Sequence, residues 1–553
     1  MTTFGIDLGT TNSVIARLVG GRAVAIDVDG SPIVPSVVLY DGDRVVVGRE
    51  ARNLEVLRPE HTLRSVKRRM GTEHTWNVGG RAVTPEEASA EILRALRRGA
   101  EAATGESVRD VVIAVPAYFD DAQRRATLRA SELAGLHVLR LINEPTSASL
   151  VYDRVGADGG AGDEPELVLV YDLGGGTFDV SVLEVFGEVR EVRATAGNTF
   201  LGGDDFDEKL VQHFLDALRT QGVDPREDRG AMARLRRVAE ATKIRLSTET
   251  EVAVHEEFLT THQGKAVHLG LVVQRRDFEA MVGPMLGSTL ELCERALADA
   301  GITADAIARV CLVGGSTRIP MVRALIEETF DADVHEEVDP DLAVALGAAM
   351  QAALLAGEAV DRILVDVASH SLGILVLGDD DWKQADTFAP IIRRNTVLPA
   401  KRSREFFTLV DDQPHVVVTV FQGEDPVASK NSRVGEFIFP LEPSPEHTPV
   451  AFTFSYTLDG TVKVDVSQKG TANSTTVALS VAGASEPKPA VSPSVAAPAP
   501  ASAVEKKAIA LLEKLHGPTK SQLAGLIERY RNSPHADRDA AEEALLDFFL
   551  EHD

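Results

Sequence analysis

Two short segments place an acid, glycines and hydroxyls directly after an apolar run: Asp7-Leu8-Gly9-Thr10-Thr11-Asn12-Ser13 and Asp172-Leu173-Gly174-Gly175-Gly176-Thr177-Phe178-Asp179. Glycine lets a backbone turn bring its N–H groups against phosphate oxygens, and the hydroxyls add donors. Two such hairpins facing each other would grip a polyphosphate from both sides. Asp7, Asp172 and Asp179 could then hold a hydrated Mg²⁺, a cation that keeps several waters and takes few direct carboxylates. Either segment alone could be an ordinary Asp/Gly turn; two copies in one chain favour phosphate. The P-loop pattern and the dinucleotide fingerprint are both missing from the sequence.

A third glycine-rich element, Val313-Gly314-Gly315-Ser316-Thr317-Arg318-Ile319-Pro320, follows an apolar run. Gly314 and Gly315 could admit a nucleoside, and Arg318 could lay its guanidinium on a purine face. The competing account is a strand-to-helix turn with Pro320 opening the helix. The same choice applies to Leu201-Gly202-Gly203-Asp204-Asp205, a candidate phosphate-contacting loop.

The elements that must position these turns read as α/β over residues 1–360, where β-rich runs such as VVIAVP (111–116) alternate with Ala-, Leu-, Arg- and Glu-rich helical patterns. FGIDLGTTNSVIARL and VYDLGGGTFDVSVLEV look like one theme used twice, which predicts a duplication with two facing lobes. Residues 361–367, an apolar patch bracketed by acids, fit a buried strand or a switchable linker. Over 368–482 short alternating runs such as HVVVTVF and AFTFSYTL predict an all-β domain. The Pro/Ala/Ser-rich stretch 483–503 predicts a spacer, and 504–553 a short helical C-terminal module.

The chain has 553 residues and carries 57 Lys+Arg against 84 Asp+Glu, a formal net charge of -27. That balance argues against nucleic acid, whose phosphates demand cationic side chains. Cys293 and Cys311, the two cysteines, give neither a disulfide framework nor a cysteine zinc site, which fits a reducing compartment. The start MTTFGIDLGT lacks a secretory pattern, and no apolar run reaches about 18 residues, so the expected location is cytoplasmic, without a membrane partner.

Taken in order, GIDLGTTNS, VPAYFDDAQRRAT, INEPTSASL, DLGGGTFD, LGGDDFD and VGGSTRIP resemble the nucleotide-binding domain of the heat-shock protein 70 chaperone family. RILVDV, SLGI, RRNTVLPAKRS and VFQGE extend the resemblance through a β-sandwich substrate domain, to about residue 482. The resemblance implies an actin-like two-lobed ATPase with ATP or ADP, Mg²⁺ and K⁺ in the central cleft. Lys67 matches a lysine assisting attack on the γ-phosphate; the alternative is a surface lysine. Glu144 matches an acid near the metal and the water, against a capping or salt-bridging glutamate. Asp7, Thr10, Thr11 and Thr177 fall on the phosphate side with Gly9, Asn12, Gly174, Gly175, Gly176, Gly202 and Gly203. Glu240, Lys243 and Ser247 match one wall of the adenosine pocket, and Gly314, Gly315, Ser316 and Arg318 the other. Asp179 and Glu144 are the acids expected to orient the water, and which of them is the base stays open.

The same resemblance makes Pro116 and Arg124 a relay between nucleotide and linker, Asp366 the linker acid, and Arg140, Asn143 and Thr146 part of a surface for J-domain partners. Without it, Pro116 would be a strand end and Arg124 an arginine on a solvated helix. Ile374, Val376, Leu377, Phe406, Leu409 and Val416 match a peptide groove, with a sandwich core as the alternative. The chain departs from the family in having Arg362-Ile363-Leu364-Val365 in the linker, Ala368-Ser369-His370 after it, a bulky Leu409, and too few C-terminal residues for a full helical lid. The implied function is an ATP-dependent chaperone hydrolysing ATP, with unfolded or extended clients, a J-domain co-chaperone and a nucleotide exchange factor as partners. The rival is a nucleotide-gated scaffold with one dedicated partner. A small-molecule kinase on the same fold is disfavoured by the sandwich that follows.

Overall fold

A computed structural model describes residues 2–152, 165–335, 338–358, 362–376, 386–479, 520, 523–527 and 529. Two compact units form, one from Met1–Arg362 with Asp366–Pro487 and one from Ile363–Val365 with Lys488–Asp553. The expected spacer 483–503 and most of the helical module 504–553 lie outside the described residues. Within that module, residues 523–527 are helical.

The predicted duplication is visible as two sheets with one topology. In the first the strand order is His137–Asn143, Asp110–Val115, Phe4–Asp7, Asn12–Val19, Arg22–Ala25; in the second Asp333–His335, Arg309–Val313, Glu166–Leu173, Phe178–Phe186 and Val189–Asn198 follow in the same sequence. In each, a central strand runs parallel to its neighbour on one side and antiparallel to its hairpin partner on the other. Asp110–Val115 is buried at every position, as expected of a parallel strand covered on both faces. Phe4, Ile6 and Phe119 anchor the first core; Tyr171, Phe178, Phe206, Phe214 and Phe278 anchor the second.

Helix starts are written locally. Thr84 and Asp120 each close a capping box, with Glu87 and Gln123, ahead of helices Pro85–Thr104 and Asp121–Leu133. Helix Ala343–Leu355 is built almost wholly of small and aliphatic residues. It approaches strand Phe4–Asp7 so closely that a Cβ on Gly5 would sit 2.0 Å from the Ala349 nitrogen, and it approaches helix Glu144–Ser149 so closely that one on Gly347 would sit 1.7 Å from the Ser147 oxygen.

The patch 361–367 contains a short strand, Ile363–Val365, with Leu364 buried. Beyond it two four-stranded antiparallel sheets pair, Thr387–Ile392, Leu372–Val376, His415–Gln422, Ser432–Pro440 and Ala400–Phe407, Pro449–Tyr456, Val462–Gln468, Ser474–Ala478. Phe439, Phe452, Phe454 and Val464 fill the space between them.

Candidate nucleotide site and its relay

The two Asp/Gly turns end their strands differently. Asp7 lies opposite Val14, whereas Asp172 lies opposite Asp179, so the second hairpin sets two carboxylates side by side. Glu144 opens the short helix Glu144–Ser149 that follows strand His137–Asn143. Lys67, in the 3-10 turn Val66–Arg69, is only 4% exposed and puts Nζ 2.5 Å from Glu144 Oε1. The surface-lysine alternative is thereby excluded, while Glu144 is at once a helix opener and an ion-pair partner.

Three buried acids, Glu144, Asp172 and Asp179, and the half-buried Asp7 therefore face the buried Lys67. Burial is the first cause raising Asp7 to about 7 and Asp179 to about 8, with Glu144 adding repulsion to both. Asp172 is driven well above the carboxylate range by burial, Glu144 and Asp179. Burial alone would lower the Lys67 ammonium, but Glu144 and Asp7 outweigh it and hold Lys67 above its ordinary value. Asp172 Oδ2 is buried without a hydrogen-bond partner among the described residues. Excess negative charge with an orphaned oxygen suits a divalent cation. Among the described residues no ready cage of three ligating side chains exists, in keeping with an ion that keeps its waters.

The glycine segments stack on one another. Gly203 N–H donates to Gly174 O at 3.0 Å, Asp204 N–H to Gly175 O at 2.7 Å, and Ser316 Oγ to Gly174 O at 2.8 Å. Gly175 faces the first turn so closely that a Cβ there would lie 1.9 Å from Thr11 Oγ1. Gly9 O accepts from Ser36 Oγ, and Gly314 and Gly315 form the strand-to-helix turn ahead of helix Pro320–Thr329. Thr10 and Thr177 are buried, and Asn12 opens the returning strand.

On helix Arg229–Leu246, Glu240 is buried and pairs with Arg52 at 2.7 Å and Arg64 at 3.5 Å. Lys243 Nζ donates to Gly203 O and Asp207 Oδ2, both at 3.0 Å, while Ser247 sits one residue past the helix. Arg318 is half-exposed and held by Asp339 at 2.6 Å and Asp341 at 3.0 Å. Thr10, Thr11, Arg52, Arg64, Ser65 and Glu240 line a narrow open cleft. Sequence reasoning missed Arg52, Arg64 and Arg68. Arg68 reaches Gly176 O at 3.1 Å and also pairs with Asp205, and its signal was its place beside Lys67 in SVKRRMG.

The relay residues converge. Arg124 is 6% exposed, so the picture of an arginine on a solvated helix is corrected. Its Nη2 donates to Asn143 Oδ1 at 2.7 Å, Asn143 Nδ2 donates to Asp366 Oδ2 at 2.9 Å, and its Nη1 reaches Asp459 O at 3.3 Å. Burial lowers Arg124 and Arg140 and raises Asp366, each resisted by the opposite charges around it. Pro116 accepts the Phe119 N–H through its carbonyl and starts the turn that Arg124 ties down. Arg140, Asn143 and Thr146 are all buried, which corrects their placement on a surface open to partners. Further contacts tie the two regions: Asp121 N–H to Gln422 Oε1 at 2.9 Å, and Arg394 to Asp299 at 2.6 Å.

Of the groove candidates, Ile374 belongs to the sandwich core and Val376, Phe406 and Val416 pack against it, while Leu409 is 58% exposed. Leu377 lies outside the described residues. These four therefore belong to or flank the core, a position that also allows several of them to line a groove, and Leu409 stands apart.

Paired sheets of one topology, glycine turns closing on a carboxylate cluster and an attached β-sandwich define a two-lobed nucleotide-dependent ATPase with an appended binding domain. A model of the Hsp70 protein family matches residues 3–79 and 74–514. The chain is 44% identical over 479 residues to the chaperone protein DnaK of Thermotoga neapolitana and, equally, to those of Thermotoga petrophila and Thermotoga maritima, covering 84% of this chain and 78% of each relative. The chain belongs to the Hsp70 family.

Proposed function

We propose that the chain is an ATP-dependent molecular chaperone that hydrolyses ATP and binds exposed apolar segments of client polypeptides. The observation that carries it is the cluster of Asp7, Glu144, Asp172 and Asp179 around Lys67 beneath two facing glycine turns. Phosphoryl transfer needs positioning and charge neutralisation more than covalent work. In this reading backbone N–H groups of Gly9–Asn12 and Gly174–Thr177 bind the phosphates, and Thr10, Thr11 and Thr177 add hydroxyls. Lys67 neutralises charge developing on the γ-phosphate, and Glu144 and Asp179 orient the attacking water. Gly202 and Gly203 join the phosphate side, and Gly314, Gly315, Ser316, Arg318, Glu240, Lys243 and Ser247 surround the nucleoside. Mg²⁺, held by Asp7, Asp172 and Asp179 through its waters, supplies Lewis-acid stabilisation when bound. K⁺ as a second cation belongs to the same reading.

Residues 1–360 form the ATPase domain, 361–367 the linker and 368–482 the client domain. Co-chaperones complete the cycle, with a J-domain protein and an exchange factor as the specific partners proposed. A cytoplasmic location belongs to the same reading, in keeping with two buried cysteines, Cys293 and Cys311; among the described residues no helix is long and apolar enough to cross a membrane. Two measurements test the reading: Mg²⁺-dependent ATP hydrolysis, and release of a fluorescent apolar peptide with ATP and with ADP bound. Faster release in ATP is expected. Hydrolysis unchanged in Lys67→Ala overturns the enzyme half, and equal release rates favour a scaffold with a dedicated partner.

A further inference from the structure

His370 stands in a segment, Ala368-Ser369-His370, that departs from the family pattern, and the structure packs it, half-buried, against the ATPase region. Its Nε2 lies 2.9 Å from the Tyr118 carbonyl oxygen, and the two rings meet edge to face with centroids 4.1 Å apart. A carbonyl only accepts, so Nε2 carries the proton. The sandwich fixes His370 from the other side, because Tyr456 Oη donates to the His370 carbonyl at 3.2 Å.

Tyr118 sits in the turn between Pro116 and Asp120, whose carbonyls are all tied down. Ala117 O accepts from Arg124 Nη2 at 3.2 Å and from Ser369 Oγ; Phe119 O accepts from Arg124 Nε at 3.1 Å; Tyr118 O accepts from His370. The N–H of the same Tyr118 donates to Asp179 Oδ1 at 3.0 Å. One residue thus has its amide on the acid of the ATP cleft and its carbonyl on a histidine of the sandwich region. We propose that His370 is a positioning residue for ATP hydrolysis: it holds the Tyr118 backbone, and through it the orientation of Asp179, whenever the sandwich is docked. The proposal rests on the ATPase reading above.

Withdrawing the imidazole from water on docking also makes docking depend on pH. Groups facing the imidazole are Tyr118, Asp120 and Arg124 from the turn and its helix, and Glu424 and Tyr456 from the sandwich. Burial dominates and lowers the imidazole, although the Tyr118 carbonyl, Asp120 and Glu424 oppose it. An undocked, hydrated His370 titrates near the ordinary value of about 6.5. Docking is therefore complete above that value and weakens as pH falls below it.

The test compares wild type, His370→Leu and His370→Gln in steady-state Mg-ATP hydrolysis between pH 5.5 and 8, with amide hydrogen exchange at Tyr118 and Phe119. Leu keeps the apolar bulk and removes the donor; Gln keeps an amide donor that does not titrate. His370→Leu should lower kcat about three- to tenfold, the worth of one hydrogen bond, with KM for ATP unchanged. The Tyr118 amide should exchange faster. His370→Gln should restore most of kcat and lose the acid limb seen in wild type. Wild-type kcat, pH profile and amide protection in His370→Leu would overturn the proposal. An inactive wild type would instead overturn the ATPase reading, and the amide protection alone would then decide whether His370 fixes the turn.

Discussion

Two buried ionic clusters lie on opposite sides of the Pro116–Asp120 turn, and their charge balance is opposite. In the cleft, Asp7, Glu144, Asp172 and Asp179 share Lys67. At the joint, Asp366 is shared by Arg124 and Arg140, with Asn143 between. Desolvated charge is costly unless paired. At the joint Asp366 and Asp459 face Arg124 and Arg140, so the charges match in number; the cleft holds a surplus of carboxyl groups, which protons relieve in part and a cation from outside can relieve further. An uncompensated cluster marks a binding site, and a compensated one marks a hinge or lock.

The sharpest way to break this comparison is Lys67→Ala, which removes the buried cation paired with Glu144. ATP turnover should fall about 10²–10³-fold, the usual cost of losing a preorganised electrostatic group, as measured by phosphate release at saturating Mg-ATP. Thermal unfolding of nucleotide-free protein across pH 4 to 9 tests the surplus directly. The carboxyls of Asp7 and Asp179 sit at about 7 and about 8 when folded, above the ordinary value of 3.8. Groups raised in this way stabilise the fold fully below that ordinary value and lose their contribution as pH rises through 7 to 8. The melting temperature should therefore drop over that range, and Mg-ATP should flatten the drop. A pH-independent melting curve would deny that the cleft is frustrated.

At the joint, Asp366→Asn leaves both arginines buried without their carboxylate. The ratio of peptide release rates in ATP and ADP should fall about tenfold, an effect of the size expected for a charge-assisted hydrogen bond, while basal hydrolysis changes far less than in Lys67→Ala. Equal damage to hydrolysis by both variants would mean one site rather than two. The smallest effect belongs to Leu409→Ala. Because Leu409 is mostly exposed, peptide affinity should change no more than about threefold, and neither cluster should notice.

Asp7, Asp172 and Asp179 were legible because an acid, a glycine turn and a strand are written in adjacent residues. Lys67 and Glu144 needed the family resemblance, being 77 residues apart with no local pattern joining them. Arg52, Arg64 and Arg68 stayed hidden because arginines in a basic stretch look the same whether solvated or paired. The burial of Arg124 was equally invisible: DAQRRATLRASEL reads as a wet helix until Asp459, 335 residues away, is folded onto it. The sandwich strands, by contrast, followed from alternation alone, although alternation could not tell groove from core at Ile374.

The bare contact between helix Ala343–Leu355 and strand Phe4–Asp7 bears on what sequence drift can reach. Gly5 and Gly347 have no room for even a methyl group, so a single-codon change at either is closed to any lineage that keeps this packing. A saturation library of this chain should therefore show deep intolerance at Gly5 and Gly347, two residues that carry no functional side chain.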